Sequence, residues 1–332
     1  MYLTNTLFTL IGKKERPASR ALSTGWVALF VMILAGSTNP AFGKQLTGTF
    51  SPLSMLLLSE VLMLLFAMLS FGFLPTFRHL LKIRRRQLLF LVIAGSINGI
   101  IAPLCWFSGL HATSAVNAEL FSMTEMIFLM LLSVFVLRQP LGRSHVFGGT
   151  IVLFGVTTVA LQGFTDGLTL GRGDLFIMLS CFLFAMGGTI VRKELHRLEP
   201  QLIILVRSAI AISFFFLISP FRERPFIDEV QLFPLVLLPI LLSYGFVSRF
   251  LLVFSYYEAI ERLPVATFSL FSTLVVAGAT LFAHFYLGEP IHWYQAAGGG
   301  LIIFGASLVH LQGLLPKEVL LRQYLKSHSA RQ

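Results

Sequence analysis

Residues 148–163 read GGTIVLFGVTTVALQG and residues 298–313 read GGGLIIFGASLVHLQG, two near copies set 150 positions apart. Self-similarity at a fixed offset marks an internal repeat, and how far it extends decides the architecture. Laid without a gap over 257–313, residues 107–163 give 15 identities. A composition this skewed would yield roughly five by chance. The matches include LFS at 120–122 and 270–272, Pro140 with Pro290, and the terminal LQG. Gly95 with Gly245 carries the echo backward, and Pro52 with Pro200 does so at the slightly shorter spacing of 148. Almost the whole chain is two halves.

The halves are built for lipid. Of the 332 residues, 56% are hydrophobic and 12% charged, where a soluble domain carries about 25% charged residues. The apolar residues fall in blocks of about 20, enough for a helix to cross a hydrocarbon layer about 30 Å thick. Runs such as LFLVIAGSI at 89–97 do not alternate polar with apolar, which argues against a transmembrane barrel. The formal charge of +10 does not indicate nucleic acid, because the basic residues punctuate the apolar blocks instead of forming one surface. Cys105 and Cys181 both lie inside apolar blocks, too few and too far apart for a disulfide framework or a metal site. No metal and no cofactor is expected. At the N-terminus Leu3, Leu7, Leu10 and Ile11 precede Lys13, Lys14, Arg16 and Arg20, the reverse of a cleaved signal. An interfacial helix or an irregular segment is read there, and again in the tail.

Cutting at Gly, Pro and charge clusters gives ten spans, near 24–43, 52–74, 87–109, 114–137, 144–161, 173–191, 200–220, 231–255, 264–287 and 292–311. These divide into a segment 1–23, a first repeat 24–163, a second repeat 164–313 and a tail 314–332. With the N-terminus cytoplasmic, that side collects 19 of the 25 Lys and Arg residues, the asymmetry that sets orientation. Both termini are then cytoplasmic, in what reads as a bacterial inner membrane. The opposite side holds Lys44, Arg172, Arg222 and Arg224, and Arg207 and Arg249 lie within spans. Five spans per half is an odd number, so the second half enters the membrane from the opposite face. Inverted repeats of this kind are the architecture of many secondary transporters, because exchanging the conformations of two similar bundles changes which side is open. The expected fold is an all-α polytopic membrane protein of ten helices in two five-helix inverted repeats. Gly148 and Gly155, like Gly298 and Gly305, are seven apart on one helix face, a packing surface within one subunit or between two. A monomer and a homodimer both fit.

YLGEPIHWYQAAGGGLIIFGASLV at 286–309, its weaker copy VLRQPLGRSHVFGGTIVLFGVTTV at 136–159, and GSTNPAFGK at 36–44 together resemble the EamA type of the drug/metabolite transporter superfamily. The resemblance spans nearly the full chain. It implies a cavity lined mainly by spans 1, 3, 4, 6, 8 and 9, with spans 5 and 10 peripheral. Its implied substrates are small polar metabolites, amino acids or their relatives, with export read ahead of uptake. Nucleotide-sugar transport on the same architecture and a membrane-embedded transferase are the alternatives. The chain departs from the pattern at Arg138-Gln139, where the family has Gly-Glu, and near Glu125 and Val275, where a proline is usual. Enzyme signatures such as HExxH, GxSxG and the Walker A loop are missing from the sequence.

Ionisable residues at membrane depth are expensive, so each is a site hypothesis. Glu125 is nearest mid-depth in span 4 and Arg249 lies in span 8; this pair is the first candidate. For Glu125 two readings stand: a carboxylate for a substrate cation or a coupling proton, or a structural partner of Arg249 or of the backbone. Glu119, nearer the outer end of span 4, shares the substrate and coupling reading. Glu60 and Arg207, at nearly matching positions of the two halves, read as a structural pair or as snorkelling groups. His284, near a helix end, reads as an interfacial residue. Asn39-Pro40 is expected to break span 1, and Asn39 there and Asn98 in span 3 sit where proline and glycine should free backbone groups towards a ligand. Trp106, Tyr244, Tyr256 and Tyr257 form an aromatic wall or an interfacial belt, and Ser272 closes the second LFS. Paired helix interruptions point to a transporter's binding site. Here Pro103 faces Val253 and Pro239 faces Leu89 across the repeat, so the prolines give only half of that signature.

Overall fold

In a computed structural model the protein is described over residues 18–71, 83–136, 142–162, 170–195, 198, 200–221, 225–263 and 271–311. The N-terminal segment before 18, the Arg138-Gln139-Pro140 joint, Arg222, Arg224 and the tail lie outside the described residues.

Apart from its turns the described chain is helical, with ten rods, numbered here as spans, and a short helix Phe226–Gln231 between the seventh and eighth. Span 1 is Ala18–Thr47 and span 2 Pro52–Phe71. Span 3 runs Arg85–Ser96, a π-turn Ile97–Ile101 and Ala102–Ala112. Span 4 is Ala115–Ser122 followed by Thr124–Phe135. Spans 5, 6 and 7 are Arg143–Ala160, Arg172–Glu194 and Pro200–Ile218. Span 8 comprises Leu238–Ser243, a π-helix Tyr244–Leu251 and Leu252–Arg262. Span 9 is Leu274–Leu287 and span 10 Trp293–Leu311. Seven of the helices are long and apolar enough to cross a membrane, and 145–160 and 274–287 are shorter apolar helices. Phe30, Phe135, Phe154, Phe216 and Phe285 point outward from their helices, as is required where hydrocarbon is the solvent. Helices are the only open-ended segments that satisfy all their backbone groups there.

The two halves meet through the glycines that repeat. A Cβ on Gly155 would stand 2.7 Å from the carbonyl oxygen of Gly298, and a Cβ on Gly305 would stand 2.7 Å from that of Gly148. Each contact is the other shifted by 150 residues. Because the numbering rises along span 5 as it falls along span 10, equivalent helices run antiparallel, and the operator relating the halves inverts the direction of threading. The small-residue faces of spans 5 and 10 are thus consumed within one subunit. The same operator pairs spans 2 and 7 with spans 8 and 3. Gly95 of span 3 lies against Ile210 and Arg207 of span 7, and Gly245 of span 8 lies against Leu62 of span 2.

At the end expected to face outward, the turns are tied by charged and polar side chains. Lys44 Nζ donates to His111 O at 2.9 Å, and His111 Nδ1 is 2.7 Å from Thr47 O. Glu289 accepts from the backbone N–H of Ala115 at 2.9 Å and of Val116 at 3.0 Å, capping the start of span 4. Those N–H groups have no helical acceptor and carry the positive end of the helix dipole. Gly288 ends span 9 in the left-handed region at φ 69°, a conformation glycine adopts without a Cβ penalty. His284 Nδ1 is 2.7 Å from Glu289 O, so this histidine braces the same turn. The Gly-Glu-Pro motif is therefore a joint between helices. At the opposite end Arg86 pairs with Glu194 at 3.1 Å and Arg262 pairs with Glu258.

One expectation fails here. Asn39-Pro40 does not break span 1, which runs as one helix through Pro40. Proline within a membrane helix is tolerated because neighbouring groups re-satisfy the freed carbonyl.

Candidate functional site

The interruptions fall in register across the repeat, though the prolines do not. The π-turn of span 3, 97–101, corresponds at the 150-residue offset to 247–251, inside the π-helix of span 8. A one-residue turn at Met123 separates the two parts of span 4, and the same turn at Thr273 directly precedes span 9, again 150 apart. π-Bulges within α-helices gather at functional sites, and a broken helix at membrane depth is tolerated only in a protein-lined interior. In span 3 Pro103 follows the π-turn, whereas no proline lies within 244–251.

Between these interruptions lies a buried charge cluster. Glu60 of span 2 is fully buried. Its Oε1 accepts from Arg207 of span 7 at 2.9 Å and from Arg249 of span 8 at 3.2 Å, while Ser208 Oγ donates to Oε2 at 2.6 Å. Position 208 is the repeat equivalent of position 60 at the spacing that relates Pro52 to Pro200, so this contact lies on the pseudo-two-fold axis. The stem of Arg207 runs along the π-turn of span 3, where a Cβ on Gly99 would stand 2.7 Å from Arg207 Cγ. Glycine at 99 is what lets the arginine reach the axis. The Glu60–Arg207 pairing is therefore formed, and Arg249 joins it. Of the readings open for Glu125, an ion pair with Arg249 is not made: Arg249 bonds Glu60 instead.

The other candidates surround this cluster. Asn98 lies in the π-turn of span 3 with Oδ1 buried and unpartnered, against Gly187 of span 6, where a Cβ would come within 2.0 Å of that oxygen. Asn39 Oδ1 is likewise buried without a partner. Its neighbour Thr38 is hydrogen-bonded through Oγ1 to Ser248 Oγ at 2.7 Å, which places Asn39 beside the π-helix carrying Arg249. Tyr244 is 1% exposed, packed with Leu46, Phe50, Met55 and Phe107, and lies within electrostatic reach of Glu60 and Arg249. Trp106 is half-buried between that group and the cluster around Phe121 and Ile177. Glu119 is buried in the first part of span 4. Glu125 opens the second part, half-buried, near Cys181 and Tyr256. Neither carboxylate makes an ion pair among the described residues. Ser272 is half-buried directly before the break at Thr273. The side chain of Tyr257 lies outside the described set.

Thr38, Ser208 and Ser248 were not singled out from sequence, since a hydroxyl in an apolar run carries no signal of its own. The repeat could have found two of them: Ser208 is the counterpart of Glu60, and Ser248 that of Asn98.

The comparisons with known proteins agree with this architecture. The EamA-like transporter family matches twice, at residues 23–161 and 171–311. An uncharacterized transporter of Methanothermobacter thermautotrophicus is 25% identical over 240 residues, covering 70% of this chain and 67% of that one. Another, of Helicobacter pylori, is 22% identical over 284 residues, covering 83% and 90%. A solved structure superposes with a TM-score of 0.60 at 18% identity, over 89% of this chain and 98% of its own, and shows a shared fold. Two family matches, one per five-helix half, together span most of the sequence: the chain is a multi-pass membrane protein that belongs to the EamA-like transporter family.

Proposed function

We propose that the chain is a secondary transporter that moves a small polar metabolite, amino-acid-like in size and polarity, by alternating access, with its site between the two halves. The observation that carries this reading is the register of the interruptions: 97–101 with 244–251, and 123 with 273. Around them Asn39 and Asn98 hold amide oxygens without partners. A buried acceptor left unsatisfied is costly, and a ligand donor would remove that cost. Spans 1, 3, 4, 6, 8 and 9 supply the surrounding groups, and Glu119 and Glu125 are the carboxylates available to carry a coupling proton. Counterflow in proteoliposomes tests the reading. Labelled substrate should accumulate against an unlabelled internal pool, and Asn98→Ala should reduce the rate at least ~10-fold with the protein still folded. Conversion of the substrate into a new product, with no counterflow, would refute transport. Proton coupling predicts that an imposed pH gradient drives uphill movement in wild type and fails to do so in Glu125→Gln. Identical rates with and without the gradient would remove it.

A further inference from the structure

We propose that the Glu60–Arg207–Arg249 cluster is an anion seat, and that the ligand it takes is a small monocarboxylate. The inference rests on the transporter reading above and assigns a substrate class to that site.

The cluster is unbalanced in charge. One carboxylate faces two guanidiniums, leaving a single excess positive charge at membrane depth. It is unbalanced in hydrogen bonds as well. Glu60 is already served by three donors, from Arg207, Arg249 and Ser208. Each arginine carries five N–H donors, and the Nε of Arg207 and that of Arg249 are both buried without an acceptor. Exposure is one-sided too, with the Glu60 side chain at 0% and those of Arg207 and Arg249 at 22% and 24%. The cluster presents its cationic side to whatever space adjoins it.

A charge in a poorly solvated interior demands a partner. The deficit is one negative charge and at least two acceptor positions. A carboxylate supplies both, since its two oxygens match the guanidinium fork. A dianionic phosphate would overshoot the charge by one. The ligand class is thus a small monocarboxylate, held by Arg207 and Arg249.

The test exploits the sign of the imbalance. Arg249→Gln leaves a neutral Glu60–Arg207 pair, whereas Glu60→Gln leaves two uncompensated arginines. Melting of the full chain is measured in zwitterionic-lipid nanodiscs. The probes are free amino and hydroxy acids, their methyl esters, chloride and inorganic phosphate. The acids should raise the melting temperature by mass action, and the esters, chloride and phosphate should not. Without ligand, Arg249→Gln should melt at or above wild type and lose the acid-induced increment, with apparent Kd rising at least ~10-fold. Glu60→Gln should melt lower without ligand and show a larger increment. If Arg249→Gln melts below wild type without ligand, or if esters or inorganic anions act as well as the acids, or if no acid shifts the melting, the cluster is a structural tie and the proposal is overturned. Counterflow separates this from the parent reading. Transport of the acids that survives Arg249→Gln unchanged keeps the transporter and removes the anion seat. Acid binding without counterflow of any compound does the reverse.

Discussion

Glu60 illustrates what a residue's surroundings add to its identity. From sequence it is an expensive carboxylate in an apolar span; in the structure it is the hub that joins one repeat to two arginines of the other. Removing its carboxylate while keeping the arginines strands two buried charges, so Glu60→Ala should cost about 3–5 kcal/mol, read as a loss of folded protein or a large drop in melting temperature. Glu289 is the contrasting case. It serves two backbone N–H groups at the start of span 4, and Glu289→Ala should cost about 1 kcal/mol, the usual value of a helix cap, checked by thermal unfolding. Depth explains why Arg249 and Glu125 drew attention first, because distance along a span can be counted from its ends. Azimuth cannot be counted in that way. Which neighbouring helix a side chain meets depends on how distant spans are packed, and Arg249 faces Glu60 of span 2.

The glycines govern the elements. Gly99 admits Arg207 into the π-turn, where an added Cβ would lie 2.7 Å from Arg207 Cγ and 2.9 Å from Arg207 O. The second of these atoms is backbone and cannot rotate away. Gly99→Ala should therefore destabilise by about 1–3 kcal/mol, as overpacking generally does, and should lower transport with it. Melting and counterflow on the same preparation check both. The π-turns themselves were legible only in part. Proline at 103 marked span 3, but span 8 makes the same distortion without a proline inside it. There the close approach of Gly245 to Leu62 is the visible local feature, and it belongs to packing between helices. The break at 123 and its copy at 273 likewise occur without the proline that the family pattern places nearby.

At the scale of the molecule the duplication makes symmetric predictions. Gly155 and Gly305 are equivalent contacts: a Cβ added to either would stand 2.7 Å from a backbone oxygen of the partner helix. Gly155→Ala and Gly305→Ala should lower stability by similar amounts, about 1–3 kcal/mol each, measured by thermal unfolding in detergent. Strongly unequal effects would argue against the two-fold relation. Topology is tested with single cysteines at Gly142 and His292, which open spans 5 and 10, in a chain whose Cys105 and Cys181 are replaced by alanine. An impermeant maleimide should label them from opposite sides of the membrane.

Sequence alone determined the duplication, the ten apolar spans and the opposed threading of the halves. Each is a property summed along the chain: identity at a fixed offset, hydropathy over about 20 residues, and an odd number of crossings per half. It also named Glu60, Glu119, Glu125, Arg207 and Arg249 as ionisable groups within spans, though not the buried Asp174 that opens span 6. Tertiary structure alone decided which of them meet. Glu60 reaches Arg207 and Arg249 across 147 and 189 positions because Gly95, Gly99 and Gly245 set how closely the helices approach and how each is turned about its axis. Rotation and close approach between distant helices are not written in the composition of any one of them, so the charge cluster emerges only when the two halves are packed together.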